Sequence, residues 1–151
     1  MDKEKSADTL QPLIAILHAE GCSLVVRDSD GVLHSFNKKG VRDLIWLLDN
    51  SPATLLDAVI ADKVIGKAAA GLIAQGGVAV AYADVMSRRA LPILEAAGIS
   101  YSYAQLVEAI EIPEGSGRCP LEKIVEPAGD AGQVEALLRS HFREMKEKQN
   151  R

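Results

Sequence analysis

The sequence predicts an α/β domain built as a three-layer α/β/α sandwich around a mixed, mostly parallel sheet. Apolar residues recur at helical spacing in several segments. One hairpin signature, Asp30-Gly31, sits between two short β-forming runs. Beyond it, strand-like runs alternate with helical ones, and alternation requires crossover connections and hence parallel neighbours covered on both faces.

The elements follow in chain order. Residues 1–9 are polar and are expected to be disordered. Leu10, Leu13, Ile14 and Leu17 form one apolar helical stripe, with Pro12 in the first turn and Gly21 as the stop. Ser23–Asp28 and Val32–Phe36 make the hairpin, so the sheet starts antiparallel. Val41, Leu44, Ile45 and Leu48 mark a second helix, closed by Asn50-Ser51-Pro52. Asp57–Ile65 reads as a strand leading into the small-residue helix Gly66–Gln75, and Val78–Tyr82 as the next strand. A helix over Ser87–Ala97 must start late or kink at Pro92. Ile99–Tyr101 is a short strand, and Ser102 with Gln105 has capping-box spacing ahead of a helix through Leu106, Val107 and Ile110. Glu114–Arg118 is a loop, and Cys119-Pro120 opens a short helix with proline in its first position. The domain thus spans 10–126. A linker over 127–132 leads to a C-terminal helix, 133–151, with Val134, Leu137, Leu138 and Phe142 on one side.

Composition removes several functional classes. The chain has 151 residues, of which 48% are hydrophobic and 25% charged, which excludes wholesale disorder. Seventeen Lys and Arg against 21 Asp and Glu give a net charge of −4, the opposite of a nucleic-acid-binding footprint. Two cysteines, Cys22 and Cys119, cannot build a disulfide framework or a four-cysteine zinc site. No apolar run reaches the ~20 residues that span a bilayer, and MDKEKSADTL holds no signal-peptide core. A cytoplasmic protein without membrane or nucleic-acid partners is expected.

The order of elements resembles the cytidine-deaminase-like fold. The stretches VIADKVIGKAAA, AYADVMSRRALPIL and SGRCPLEK are similar to signature segments of an uncharacterised prokaryotic family assigned to that fold, over about Leu10 to Glu126. The resemblance implies a site at two helix starts, where zinc deaminases place a His (or Cys)-Ala-Glu and a Pro-Cys-x-x-Cys. Here the first helix begins Gly66-Lys67-Ala68-Ala69, and Met86 and Arg89 fall about where the two cysteines would stand. No metal and no cofactor are expected.

The remaining chemistry lies at the carboxyl ends of the strands, where α/β sheets form their ligand crevice. Helix starts at Gly66 and Ser87 present unpaired amides, and Lys67, Arg88 and Arg89 add positive charge, a setting for a phosphate or carboxylate of a small anion or nucleotide. The same three cations can instead pair with Asp62, Asp84 or Glu95, and Ser87 can serve simply as an N-cap. Asp62-Lys63 sits at a strand exit; its Asp-Lys-Val-x-Gly string is similar to one in sulfur-transfer accessory proteins of formate dehydrogenase, and an ion pair fixing the turn is the plainer account. Cys119 is the candidate nucleophile, because a helix N-terminus and Arg118 favour its thiolate; the alternative is a structural cap. Glu122 has capping-box spacing from Cys119 and can reach the amides of its own helix. His18 and Cys22 share the spacing of a metal pair, but Gly21 ends the helix between them.

Two functions follow as expectations. One is a small-molecule binder, with or without catalysis, using Asp62, Lys63, Gly66, Lys67, Ser87, Arg88, Arg89 and Glu122. The other is a non-catalytic regulatory or scaffold protein whose C-terminal helix docks on a partner or on a second copy as a homo-oligomer; its apolar stripe can equally fold back onto its own domain.

Overall fold

The computed structural model describes residues 3–38, 41–111 and 119–150, with side chains from Thr9 onward. Among the described residues, thirteen elements make five strands and two unequal helical layers. Strands β1 (Leu24–Arg27), β2 (Leu33–Phe36), β3 (Val59–Ile65), β4 (Val80–Ser87) and β5 (Ser100–Val107) lie in the order β2-β1-β3-β4-β5. The pairs β1–β2 and β1–β3 are antiparallel, whereas β3–β4 and β4–β5 are parallel, giving a mixed, mostly parallel core. In the hairpin turn Gly31 adopts φ +85°, and Asp28 Oδ1 accepts the N–H groups of Asp30 (3.0 Å) and Val32 (2.9 Å).

Helix α1 (Lys3–Glu20) is the one helix on its face of the sheet among the described residues. Its Leu10, Leu13 and Leu17 pack with Val25, Val59, Ala61, Val80 and Tyr82. The helix begins at Lys3 rather than at the apolar stripe, so Pro12 falls inside it instead of in its first turn. Pro12 is exposed.

The other face carries α2 (Arg42–Asn50), α3 (Pro52–Leu55), α4 (Lys67–Gln75), α5 (Leu91–Ala96), α6 (Pro120–Val125) and α7 (Ala131–Gln149). Ile60, Ala81, Ala83 and Met86 meet Leu44, Leu47, Leu72, Ile73 and Leu94 there. Small residues let α4 lie deep: Ala68 through Ile73 are all buried, and Gly71 lies against Val134 of α7, where a methyl group would collide with the valine. Helix α7 is therefore part of the core, with Val134 and Leu138 buried, and not a free arm. Its start is a reciprocal cap: Asp130 Oδ1 accepts the Gln133 N–H (2.8 Å), and Gln133 Oε1 accepts the Gly129 N–H (2.6 Å).

Besides the earlier start of α1, two elements differ from the sequence expectation. The segment after Ile99 is not a short strand with a capped helix but the eight-residue strand β5, paired to β4 along its length. Ser102 and Gln105 are ladder residues; a capping box needs a helix after it, and Tyr101 and Leu106 pack as strand residues on the helical layer instead. The expected Ser87–Ala97 helix splits at Pro92: β4 runs to Ser87, a 3₁₀ turn spans Arg88–Ala90, and α5 follows with Pro92 in its first turn.

A kink crosses the three parallel strands in one line. Ile60 and Ile65, Ala83 and Met86, and Tyr101 and Leu106 each face the same cluster although an odd number of positions separates them, so each strand slips its alternation once. The break falls at Lys63, Asp84 and Ala104, the row missing from both ladders. Beyond it Val64, Val85 and Val107 point away from the large helical layer.

Candidate functional site

The carboxyl ends of β3 and β4 feed α4 and the 3₁₀ turn, as expected, but the amides at the α4 start are already taken. The buried Glu122 accepts the Lys67 N–H at Oε1 (2.8 Å) and the Ala68 N–H at Oε2 (3.0 Å). A helix N-terminus attracts an anion, and here the anion is the chain's own carboxylate. Gly66 is required because any side chain would run into that carboxylate. Glu122 thus caps α4 across 54 positions of sequence rather than the helix it belongs to.

The cations around this point are likewise bound within the fold. Lys67 Nζ donates to the carbonyls of Glu126 (3.0 Å) and Ala128 (2.6 Å), tying α4 to the end of α6. Arg89 lies 3.4 Å from Glu126, and Arg88 Nε lies 2.6 Å from Glu108. Their partners are therefore not Asp62, Asp84 or Glu95. Ser87 Oγ accepts the Arg89 N–H (3.1 Å), the N-cap role, and donates to the Glu108 carbonyl (3.3 Å). Cys119 is the N-cap residue of α6 without a side-chain cap; it is half-buried, and its N–H donates to the Ile110 carbonyl (3.0 Å). Arg118 lies outside the described residues. Cys22 is buried, its thiol pushed up by desolvation, and its Sγ contacts the Ile16 carbonyl (3.8 Å).

Asp62 and Lys63 do not pair. Adjacent strand residues face opposite sides, so Asp62 is buried while Lys63 is exposed and reaches the Gly21 carbonyl (3.3 Å) at the end of α1. Burial pushes the Asp62 carboxyl up to about 7; backbone N–H groups of Val64 and Lys63 oppose the rise, and the carboxylates of Asp43 and Asp84 add to it. Asp43, in the first turn of α2, is also buried. Desolvation raises its pKa, and its Oδ2 has no hydrogen-bond partner among the described residues.

On the α1 side stands a cluster the sequence did not single out. Asp84 Oδ1 lies 2.8 Å from His18 Nε2 and accepts the Tyr82 hydroxyl at 2.7 Å. Burial and Asp84 together push the Tyr82 phenol up to about 12. Directly beyond the kink lies an open groove of about 470 Å³ with Val64, Val85 and Val107 as its floor and Glu108–Glu111 as its wall. His18 therefore pairs with Asp84 and not with Cys22; the pairing spans 66 positions, out of reach of any local motif. Among the described residues, no three His, Cys, Asp or Glu side chains gather as a metal-binding group. No described helix is long and apolar enough to cross a membrane.

Fold and site together define a mixed α/β domain with a crevice at the carboxyl ends of its parallel strands, closed on one face and open on the other. A family described as TM1506, a domain of unknown function (DUF1893), matches residues 13–142, and the chain belongs to that family. The solved structure of a DUF1893 family protein (TM1506) from Thermotoga maritima superimposes with a TM-score of 0.80 at 23% identity, over 94% of this chain and 92% of that one. The shared fold is what that likeness establishes. A comparison with curated proteins finds no match.

Proposed function

We propose that the chain is a small-molecule-binding domain whose ligand lies across the carboxyl ends of β3, β4 and β5. The ligand's apolar part rests on Val64, Val85 and Val107. Its anionic group, a phosphate or carboxylate such as a nucleotide carries, meets Lys63 and His18. The observation that carries this reading is the groove itself, an apolar floor at the crevice position of an α/β sheet. Lys63 supports it as a cation held by a backbone carbonyl rather than by a carboxylate. In the deaminase-like reading of the fold, the helix starts that would hold zinc ligands are the place where Glu122 and Lys67 close the structure. That closure moves the binding site to the opposite face of the sheet.

A thermal-shift screen of nucleotides and phosphorylated metabolites tests the proposal. A ligand at a hundred times its Kd adds about 2.7 kcal/mol, or roughly 5–10 °C for a domain of this size. The shift should vanish in Val85→Trp, which fills the groove, shrink in Lys63→Ala, and persist in Arg89→Ala. No shift with any anion, or one indifferent to Val85→Trp, refutes it.

A second reading, a non-catalytic regulatory or scaffold protein, does not draw on α7, whose stripe is packed against α4. The open edge of the sheet favours it instead.

A further inference from the structure

We propose that binding of an anion at the groove is coupled to the uptake of one proton by His18, so that the domain takes up its ligand as pH falls and releases it as pH rises. This coupling rests on the groove being the binding site, with the ligand's anionic group at Lys63 and His18. Strand geometry and a fixed tautomer then make the proton obligatory.

In a regular strand consecutive side chains face opposite sides. At the slip they do not. Tyr82 packs under α1 and Ala83 faces the large helical layer; Asp84 then returns to the α1 side, where it meets His18 and Tyr82. Val85 stays on that side, because Met86 is the next residue to enter the helical core. Strand β3 repeats the arrangement. Lys63 reaches the Gly21 carbonyl at the end of α1, Val64 belongs to the groove, and Ile65 is the next core residue. The polar residues Lys63 and Asp84 are thus chain neighbours of the apolar floor on the same face of the sheet.

The hydrogen bonds set the tautomer. A carboxylate only accepts. Asp84 Oδ1 takes the Tyr82 hydroxyl at 2.7 Å and lies 2.8 Å from His18 Nε2, so Nε2 carries the hydrogen. Neutral His18 therefore keeps its lone pair at Nδ1, on a side chain that is 57% exposed. That lone pair repels an anion. Nδ1 donates to one only when it too is protonated, and the imidazolium then bridges Asp84 and the ligand. Asp84 of β4, Glu20 on α1 and the carbonyl end of α1, whose last turn holds His18, all favour the charged ring. Lys63 of β3 opposes it until an anion lies between the two cations. Tyr82, its phenol pushed up to about 12, stays neutral, as does the buried Cys22, whose thiol is also raised. Arg27 of β1 pairs with Val59, at the opposite end of β3.

Naphthalene-2-sulfonate is the probe, a flat apolar ring bearing an anion whose own charge is constant around neutrality. Calorimetric titration of the full chain at about pH 7.5, in two buffers of different ionisation heat, should show close to one proton taken up per probe bound. Its Kd should rise about tenfold per pH unit above that. His18→Gln should bind the probe without proton uptake. Asp84→Asn releases the tautomer, since an amide can donate to Nε2, and should cut the uptake while the probe still binds. The imidazole nitrogen shifts of the free protein at about pH 8.5 should place the His18 hydrogen on Nε2. Binding that Val85→Trp abolishes but whose Kd does not change with pH overturns the proton coupling and leaves the groove standing. So does an Nδ1–H tautomer in the free protein, or uptake that persists in His18→Gln. No binding, or binding indifferent to Val85→Trp, removes the groove and the coupling together.

Discussion

Asp62→Asn should make the protein more stable relative to the unmodified chain as pH rises. The Asp62 carboxyl goes from the ordinary 3.8 to about 7 on folding, because burial penalises its charged form. A group whose folded pKa is raised binds its proton more tightly in the native state. Its contribution is whole below the unfolded value, near pH 4, and is lost as pH climbs through the folded value, near 7. At ~1.4 kcal/mol per pH unit the full span is about 4 kcal/mol, of which about 3 kcal/mol falls between pH 4.5 and 8. Asparagine does not titrate and keeps a carbonyl for the Val64 N–H, which Asp62 Oδ1 accepts at 3.3 Å. Its amide must be accommodated in the same buried space, a constant cost of about 1 kcal/mol. Urea unfolding of both proteins at pH 4.5 and pH 8 isolates the titrating part, since the constant cost cancels in the comparison between pH values. The difference between variant and parent should move by about 3 kcal/mol in the variant's favour at the higher pH. A difference that does not change with pH would refute the reasoning and mean that Asp62 is ionised in the native state.

Glu122→Ala should destabilise the domain by about 1–3 kcal/mol, because two α4 amides lose their acceptor; phosphate should then raise the melting temperature of the variant more than that of the parent, read by calorimetry with and without the ion. Gly71→Ala should cost about 1–3 kcal/mol in urea unfolding, since the methyl meets Val134 and α7 must move outward. A thiol reagent at neutral pH should label Cys119 faster than Cys22, because Cys22 is buried and its thiol is pushed up; labelling rates of Cys119→Ser and Cys22→Ser measure this, and equal rates would remove Cys119 as a nucleophile.

Local signals carried most of the fold. The hairpin was legible because Asp30-Gly31 is a turn with a mechanism, and β3 and β4 because each opens on an apolar run, Val59–Ala61 and Val80–Ala83. Strand β5 was not, because only Tyr101, Leu106 and Val107 of it are partly buried and the slip at Ala104 breaks their alternation, while SYSYAQLV happens to hold serine and glutamine at capping-box spacing. The site was less legible for a different reason. Glu122 was recognised as an N-terminal cap, but its helix lies 54 residues away. Lys67, Arg88 and Arg89 were placed at the right end of the sheet, yet their partners Glu108 and Glu126 come from segments that local spacing does not link to them. The ion pair expected at Asp62-Lys63 fails on strand geometry, since neighbours on a strand face opposite sides.

That geometry also explains why the crevice opens where it does. The row Lys63, Asp84 and Ala104 is where three strands slip their alternation together, so the residues after it change sides as a set. On the helical side the slip places Ile65 and Met86 against the core near the α4 start, and Glu122 supplies the negative charge that this helix end demands. With the carboxylate internal, an outside anion there would meet occupied amides and a like charge. On the α1 side the same slip sends Val64, Val85 and Val107 outward, away from the large helical layer. Three valines at the ends of three adjacent strands form a floor with no helix over it among the described residues, while on the same side of the sheet His18 pairs with Asp84 and Lys63 reaches the Gly21 carbonyl. One coordinated kink therefore closes the helix-start side and opens the other. Deleting one residue at Lys63 would set Ile60 and Ile65 an even number of positions apart, so regular alternation would keep Ile65 in the core and Val64 outward. Inserting one residue in a strand without the slip would instead turn every side chain after it to the other face.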